Sequence, residues 1–135
     1  MIDFLLQHLV NNGANVTVVT RPGSSSKLPS GVNAATIDIT NVQALSKAFK
    51  DNKIEVVVST VSQAALHGQN LLADAAKAAG VQLFVPSEFG HSTVGRTGGI
   101  FGVKAEAAAY LQEIGLPSLR IFVSGNRRKC LSWCH

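Results

Sequence analysis

The chain has 135 residues, enough for one domain and too few for two. Its 46% hydrophobic and 15% charged residues suit a buried core and argue against disorder. Net charge +4 first suggests an acidic partner, but Arg127, Arg128 and Lys129 lie in the last ten residues, and the rest holds nine basic against eight acidic side chains. The basicity belongs to the tail, so no nucleic-acid partner is expected.

Ile2, Leu5, Leu6, Leu9 and Val10 recur at i, i+3, i+4, i+7 and i+8, which predicts an amphipathic helix stopped at Asn12-Gly13. Residues 15–20, NVTVVT, read as a β-branched strand ended by Arg21-Pro22-Gly23, and 24–33 as a loop. A weaker strand is predicted at 35–39. Thr40-Asn41-Val42-Gln43 has the form of a capping box, and the helix after it turns Val42, Leu45, Ala48 and Phe49 inward.

Residues 55–61, EVVVSTV, form a near-continuous apolar run, the pattern of a strand buried on both faces. A helix follows over 68–79, with Gly80 as its stop, and then a strand over 81–87. Five glycines in the fifteen residues 88–102 predict a loop. The last helix is predicted at 103–114, stopped by Gly115 and Pro117, and the last strand at 118–124. Strands separated by helices imply right-handed crossovers, so the predicted fold is α/β, a doubly wound parallel sheet.

Such a sheet normally opens with a strand and a Gly-rich turn, but here a helix comes first. No G-x-G-x-x-G occurs anywhere in the chain. The absent strand would be central, between the strands at 15–20 and 55–61. The expectation is a chain truncated at both ends: a partial dinucleotide-binding domain over 1–125 and an atypical basic tail over 126–135, NRRKCLSWCH. A chain without that turn is expected not to bind dinucleotide at micromolar concentration.

Both cysteines, Cys130 and Cys134, sit in that tail with Trp133, the only tryptophan. With His135 they match no zinc spacing, and no metal site is predicted. A body without cysteine fits a reducing, cytoplasmic setting. No apolar run is long enough to span a membrane, and the N-terminus lacks the basic region of a secretory signal.

Arg21 follows the strand where an acid would bond a ribose hydroxyl and an arginine suits a 2′-phosphate. No acid occurs between Thr17 and Asp38, and Lys27 adds a nearby charge, so NADPH is favoured over NADH. A solvated strand-end arginine is the plain alternative. Ser59, Thr60 and Val61 leave the C-terminal end of the buried strand, where open α/β sheets bind ligands; ordinary turn chemistry would also place them there.

Phe84-Val85-Pro86-Ser87-Glu88-Phe89-Gly90 is the most specific stretch, with Pro86 ending a strand because it lacks a donor. With the strand order, Arg21, Lys104 and the 113–117 EIGLP run, FVPSEFG resembles the isoflavone reductase-like and NmrA-like families of atypical short-chain dehydrogenases over about residues 1–125. The resemblance implies NADPH with Arg21 and Lys27 at its 2′-phosphate. It sets Ser59, Thr60, Val61, Pro86, Ser87, Glu88 and Phe89 along the cofactor and Lys104 near the nicotinamide. Lys104 is also expected to start its helix, where the dipole disfavours a cation and so favours proton transfer.

There is no Tyr-x-x-x-Lys pair, since Ile100 stands four residues before Lys104. The implied activity is NADPH-dependent reduction of a small aromatic or unsaturated substrate. The alternatives are a non-enzymatic redox-sensing regulator with a protein partner, or an inactive partial gene product.

Overall fold

The computed structural model describes residues 2–24, 27–123 and 129–134, the last six as backbone alone. Helix α1 (Ile2–Asn11) buries Leu6 and leaves Phe4 81% exposed. Strands β1 (Val16–Thr20) and β2 (Val32–Thr36) pair in parallel, Val16 opposite Val32 and Thr20 opposite Thr36. β2 therefore starts three residues before the predicted strand. Gly31, at φ +85, makes the turn that brings Val32 into register. The chain leaves the sheet at Asp38, whose Oδ1 accepts from the Thr40 amide at 2.9 Å and its hydroxyl at 2.8 Å. Those bonds, the amide first, hold the Asp38 carboxyl below the usual carboxylate range.

Thr40 is thus engaged with Asp38, and the predicted capping box moves by one residue. Asn41 caps α2 (Val42–Asp51), its Oδ1 accepting from the Ala44 amide at 3.0 Å. Strand β3 (Val56–Val58) is shorter than predicted and is buried on one face only. Val57 enters the core, whereas Val56 and Val58 are 49% and 39% exposed, since no described element covers their side of the sheet. A short 3-10 turn (Gln63–Gly68), unforeseen in the sequence, leads into α3 (Gln69–Ala79). Gly80 closes α3 at φ +78, a left-handed cap that other residues adopt at a cost.

Strand β4 (Leu83–Val85), helix α4 (Gly99–Glu113) and strand β5 (Ser118–Val123) complete the alternation. The described strands make two sheets, β1-β2 and β3-β4-β5-β6, where β6 is Lys129–Cys134. β3–β4 and β4–β5 are parallel, and β6 runs antiparallel to β5. No element was foreseen in the tail, whose 126–128 and His135 lie outside the described residues, as do Ser124 and the side chains of 129–134. β1 and β3 do not pair, and that gap falls where the sequence leads one to expect a shared neighbour.

Parallel strands joined by helical crossovers make the chain α/β and doubly wound, as predicted. Its core gathers Leu45 and Phe49 of α2, Val57, Leu72 of α3, Phe84 of β4 and Leu111 of α4. Ala73, Ala75 and Ala76 are small enough to let α3 pack closely, and Leu45 and Phe84 are wholly buried. Each such large side chain contributes about 1.5–3 kcal/mol through burial.

Candidate functional site

Pro86 offers no N–H, so β4 ends at Val85 and the chain must turn. The turn is tight: the Glu88 amide donates to the Pro86 carbonyl at 2.8 Å, and Phe89 has φ +35. A bulky residue in that left-handed region stores about 1–3 kcal/mol and persists only where its surroundings hold it. Gly90 then bridges Phe122 in parallel, and the Val123 amide donates to the Gly90 carbonyl at 2.8 Å. The turn is thereby fastened to the end of β5.

Four neighbours fix the residues of this turn. The buried Ser87 amide donates to Gln69 Oε1 at 2.7 Å, and its Oγ donates to the Val61 carbonyl at 3.1 Å. That ties the ends of β3 and β4 to the start of α3. Glu88 turns its carboxylate inward to Arg120, whose Nε and Nη2 lie 2.9 and 2.8 Å from Oε1. Thr93 Oγ1 donates to the same carboxylate at 3.0 Å and accepts from Arg120 Nη2. Glu88, Thr93 and Arg120 are 3%, 0% and 8% exposed, so this is an internal polar cluster. Arg120 also lies 5.0 Å from the Phe122 ring centroid.

On the backbone, the Glu88 carbonyl accepts from Lys104 Nζ at 2.6 Å. Lys104 is half-buried on α4. Its expected place in the first turn needs correction. Gly98 caps the helix and α4 begins at Gly99, which puts Lys104 in the second turn, where the dipole has largely faded. Of the glycines that suggested a loop extending to residue 102, Gly98 and Gly99 hold φ +77 and +54 where the helix starts, and Gly102 lies within it.

Ser59 stands just past β3, its amide donating to the Val85 carbonyl at 2.8 Å. It is 1% exposed, and among the described residues its buried hydroxyl has no hydrogen-bond partner. Thr60 is exposed, Val61 and Phe89 are half-buried, and Pro86 is fully buried. Arg21 and Lys27 are exposed, and among the described residues neither joins an ion pair or reaches the cluster. The structure thus brings Val61, Ser87, Glu88 and Lys104 into one network. Arg21 and Lys27 remain apart from it.

Gln69, Thr93 and Arg120 are members of this network that the sequence reasoning missed. Arg120 carried a usable signal, a charge at an inward position of an apolar strand, where arginine is seldom found unpaired. The 3-10 turn and the start of α4 flank an open cleft of about 420 Å3 lined by Gln63, Leu66, His67, Gly99, Ile100 and Val103. Among the described residues no cluster could hold a metal ion, and no helix is long and apolar enough to cross a membrane.

The donor set fits a dinucleotide in part. A buried hydroxyl at one strand end, a lysine on the carbonyl of the turn after β4 and an exposed arginine after β1 suit such a ligand, while a Gly-rich pyrophosphate turn is not among these 135 residues.

Known proteins share this fold. Leucoanthocyanidin reductase from Vitis vinifera, solved as a binary complex with NADPH, matches with TM-score 0.77 and 26% identity over 87% of this chain and 44% of its own. AtPrR2, solved with NADP+ and (+)-pinoresinol, matches in fold with TM-score 0.75 and 22% identity over 87% and 44%. The oxidoreductase aprR of Aspergillus flavus is 43% identical over 79 residues, 58% of this chain and 26% of its own length. The chain therefore spans less than half the length of these relatives. The model of the NmrA-like family matches residues 3–127, nearly the whole chain, which agrees with the resemblance carried by FVPSEFG. On that match, the chain belongs to the NmrA-like family.

Proposed function

We propose that the chain serves an NADPH-dependent reductase acting on a small aromatic or unsaturated substrate. The observation that carries this reading is the Lys104 amine, held 2.6 Å from the Glu88 carbonyl at the C-terminal end of the parallel strands. That end is where open α/β sheets take their ligands. When bound, NADPH supplies the hydride. The chain's own residues bind and orient it and manage the proton.

Arg21 presents a fork of donors suited to a 2′-phosphate, and no acid between Thr17 and Asp38 competes for it. Lys27 adds charge nearby. The Ser59 hydroxyl, without a partner among the described residues, gains one from a ligand over the strand end. Thr60, Val61, Pro86, Ser87 and Phe89 shape the floor. Glu88 acts through its backbone, because its carboxylate is engaged with Arg120. Lys104 delivers the proton that accompanies hydride transfer.

Since pyrophosphate binding needs backbone donors of a Gly-rich turn, the test uses the chain extended ahead of Met1 by a strand and a G-x-G-x-x-G turn. NADPH oxidation is followed at about 340 nm over a panel of aromatic and unsaturated substrates. Lys104→Ala should lower turnover about 100- to 10,000-fold while leaving NADPH affinity nearly unchanged. Turnover that survives the substitution removes Lys104 from the reaction. NADPH binding without turnover on any substrate favours a redox-sensing regulator.

A further inference from the structure

We propose that Arg120 is the positioning residue for Lys104, acting through Glu88: by gripping the carboxylate it holds the carbonyl on which the amine docks. This rests on the reading of Lys104 as the proton-transfer group. Among the described residues the Glu88 carbonyl is the only acceptor on Lys104 Nζ. Where that carbonyl points therefore decides where the amine sits.

The turn does not hold the carbonyl unaided. Phe89, next in sequence, is in the left-handed region at φ +35, so relaxation of its backbone would rotate the Glu88–Phe89 peptide that carries the carbonyl. Two fastenings oppose this rotation. One is backbone, the Val123 amide on the Gly90 carbonyl at 2.8 Å. The other is the side-chain cluster, where Arg120 gives two donors to Oε1 and a third contact to the Thr93 hydroxyl.

The planar guanidinium suits this task. Its Nε and Nη2 converge on Oε1 while Nη2 also reaches the Thr93 hydroxyl, a fixed planar set of donors that an ammonium does not offer. Desolvation makes a buried ion pair a poor source of net stability, yet three polar side chains at 3%, 0% and 8% exposure satisfy one another here. Such a cluster specifies geometry. The geometry it specifies ends at Lys104.

Competitive acetylation of the 135-residue chain with acetic anhydride, resolved by mass spectrometry, reads the amine without any cofactor. Lys77 is the internal control, because its Nζ donates to the Gly115 carbonyl at 2.9 Å in a distant part of the fold. Thr93→Val removes one member of the cluster, and Arg120→Lys keeps the charge but loses the fork. In either folded variant, acetylation of Lys104 should rise about 2- to 10-fold, the range expected when one hydrogen bond loosens, with Lys77 unchanged. If Arg120→Lys lacks a cooperative melt, Thr93→Val carries the test.

An unchanged Lys104 in a folded variant overturns the proposal. A parallel rise at Lys77 also overturns it, since the cluster would then support the fold in general. Failure of the functional reading looks different: Lys104→Ala would keep its turnover in the extended chain while the acetylation pattern still followed Arg120.

Discussion

Ser59→Ala should stabilise the free protein and weaken its hold on NADPH. The hydroxyl lies in a residue 1% exposed and has no partner among the described residues, so folding strips it of water without return. An unsatisfied buried hydroxyl costs about 1–3 kcal/mol in proteins. Alanine removes that cost and leaves a gap of one oxygen atom. For a chain of this length, about 1 kcal/mol corresponds to about 4 °C in Tm. Urea unfolding followed by circular dichroism should show a higher midpoint at unchanged slope, together with a raised Tm. In the extended chain the same substitution should weaken NADPH about 2- to 10-fold, the loss of one hydrogen bond to the ligand. Opposite signs for stability and binding are the mark of a hydroxyl kept for a ligand. A loss of about 1 kcal/mol or more at unchanged slope would refute the reasoning, since the hydroxyl would then be bonded in the free protein.

Arg120→Met leaves the buried Glu88 carboxylate without its ion-pair partner and should cost about 3–5 kcal/mol, while the double change with Glu88→Leu should cost much less; additive losses in urea unfolding would deny the coupling. Tyr110, the only tyrosine, donates to Asp74 Oδ1 at 2.5 Å, and that bond first, then burial and the charges of Asp74 and Glu113, raise its pKa above the usual phenol value. The stability linked to its proton is fully present below about pH 10 and is lost as pH rises through the folded value. Absorbance titration at about 295 nm should show a midpoint that falls on Asp74→Ala, and an unmoved midpoint would assign the shift elsewhere.

The order of elements was legible because hydrophobic period is a local property: Leu6 and Leu9, Leu45 and Phe49, and Leu72 and Ala76 each announce a helix. Element edges were less so. β2 slipped by three residues because its register is set by β1, and the cap moved from Thr40 to Asn41 because Asp38 claims Thr40. β3 reads as doubly buried in composition, but burial depends on what covers it, and Val56 and Val58 stay exposed. The FVPSEFG turn was legible through Pro86 and Gly90. Its chemistry was not: Glu88 is separated from Arg120 by 32 positions, and no local pattern records such a pairing. The glycines at 98–102 misled because left-handed backbone at the start of a helix calls for glycine as much as a flexible loop does.

The most direct test is the ratio of NADPH to NADH affinity, measured by isothermal titration in the extended chain and in its Arg21→Ala variant. Arg21 is exposed just past β1, where a charge-assisted contact to a 2′-phosphate contributes about 1.5–3 kcal/mol. The account predicts a preference for NADPH of about 10- to 150-fold that collapses toward unity in Arg21→Ala, with NADH affinity unchanged. Equal affinities for the two dinucleotides, or a preference that survives the substitution, would contradict it.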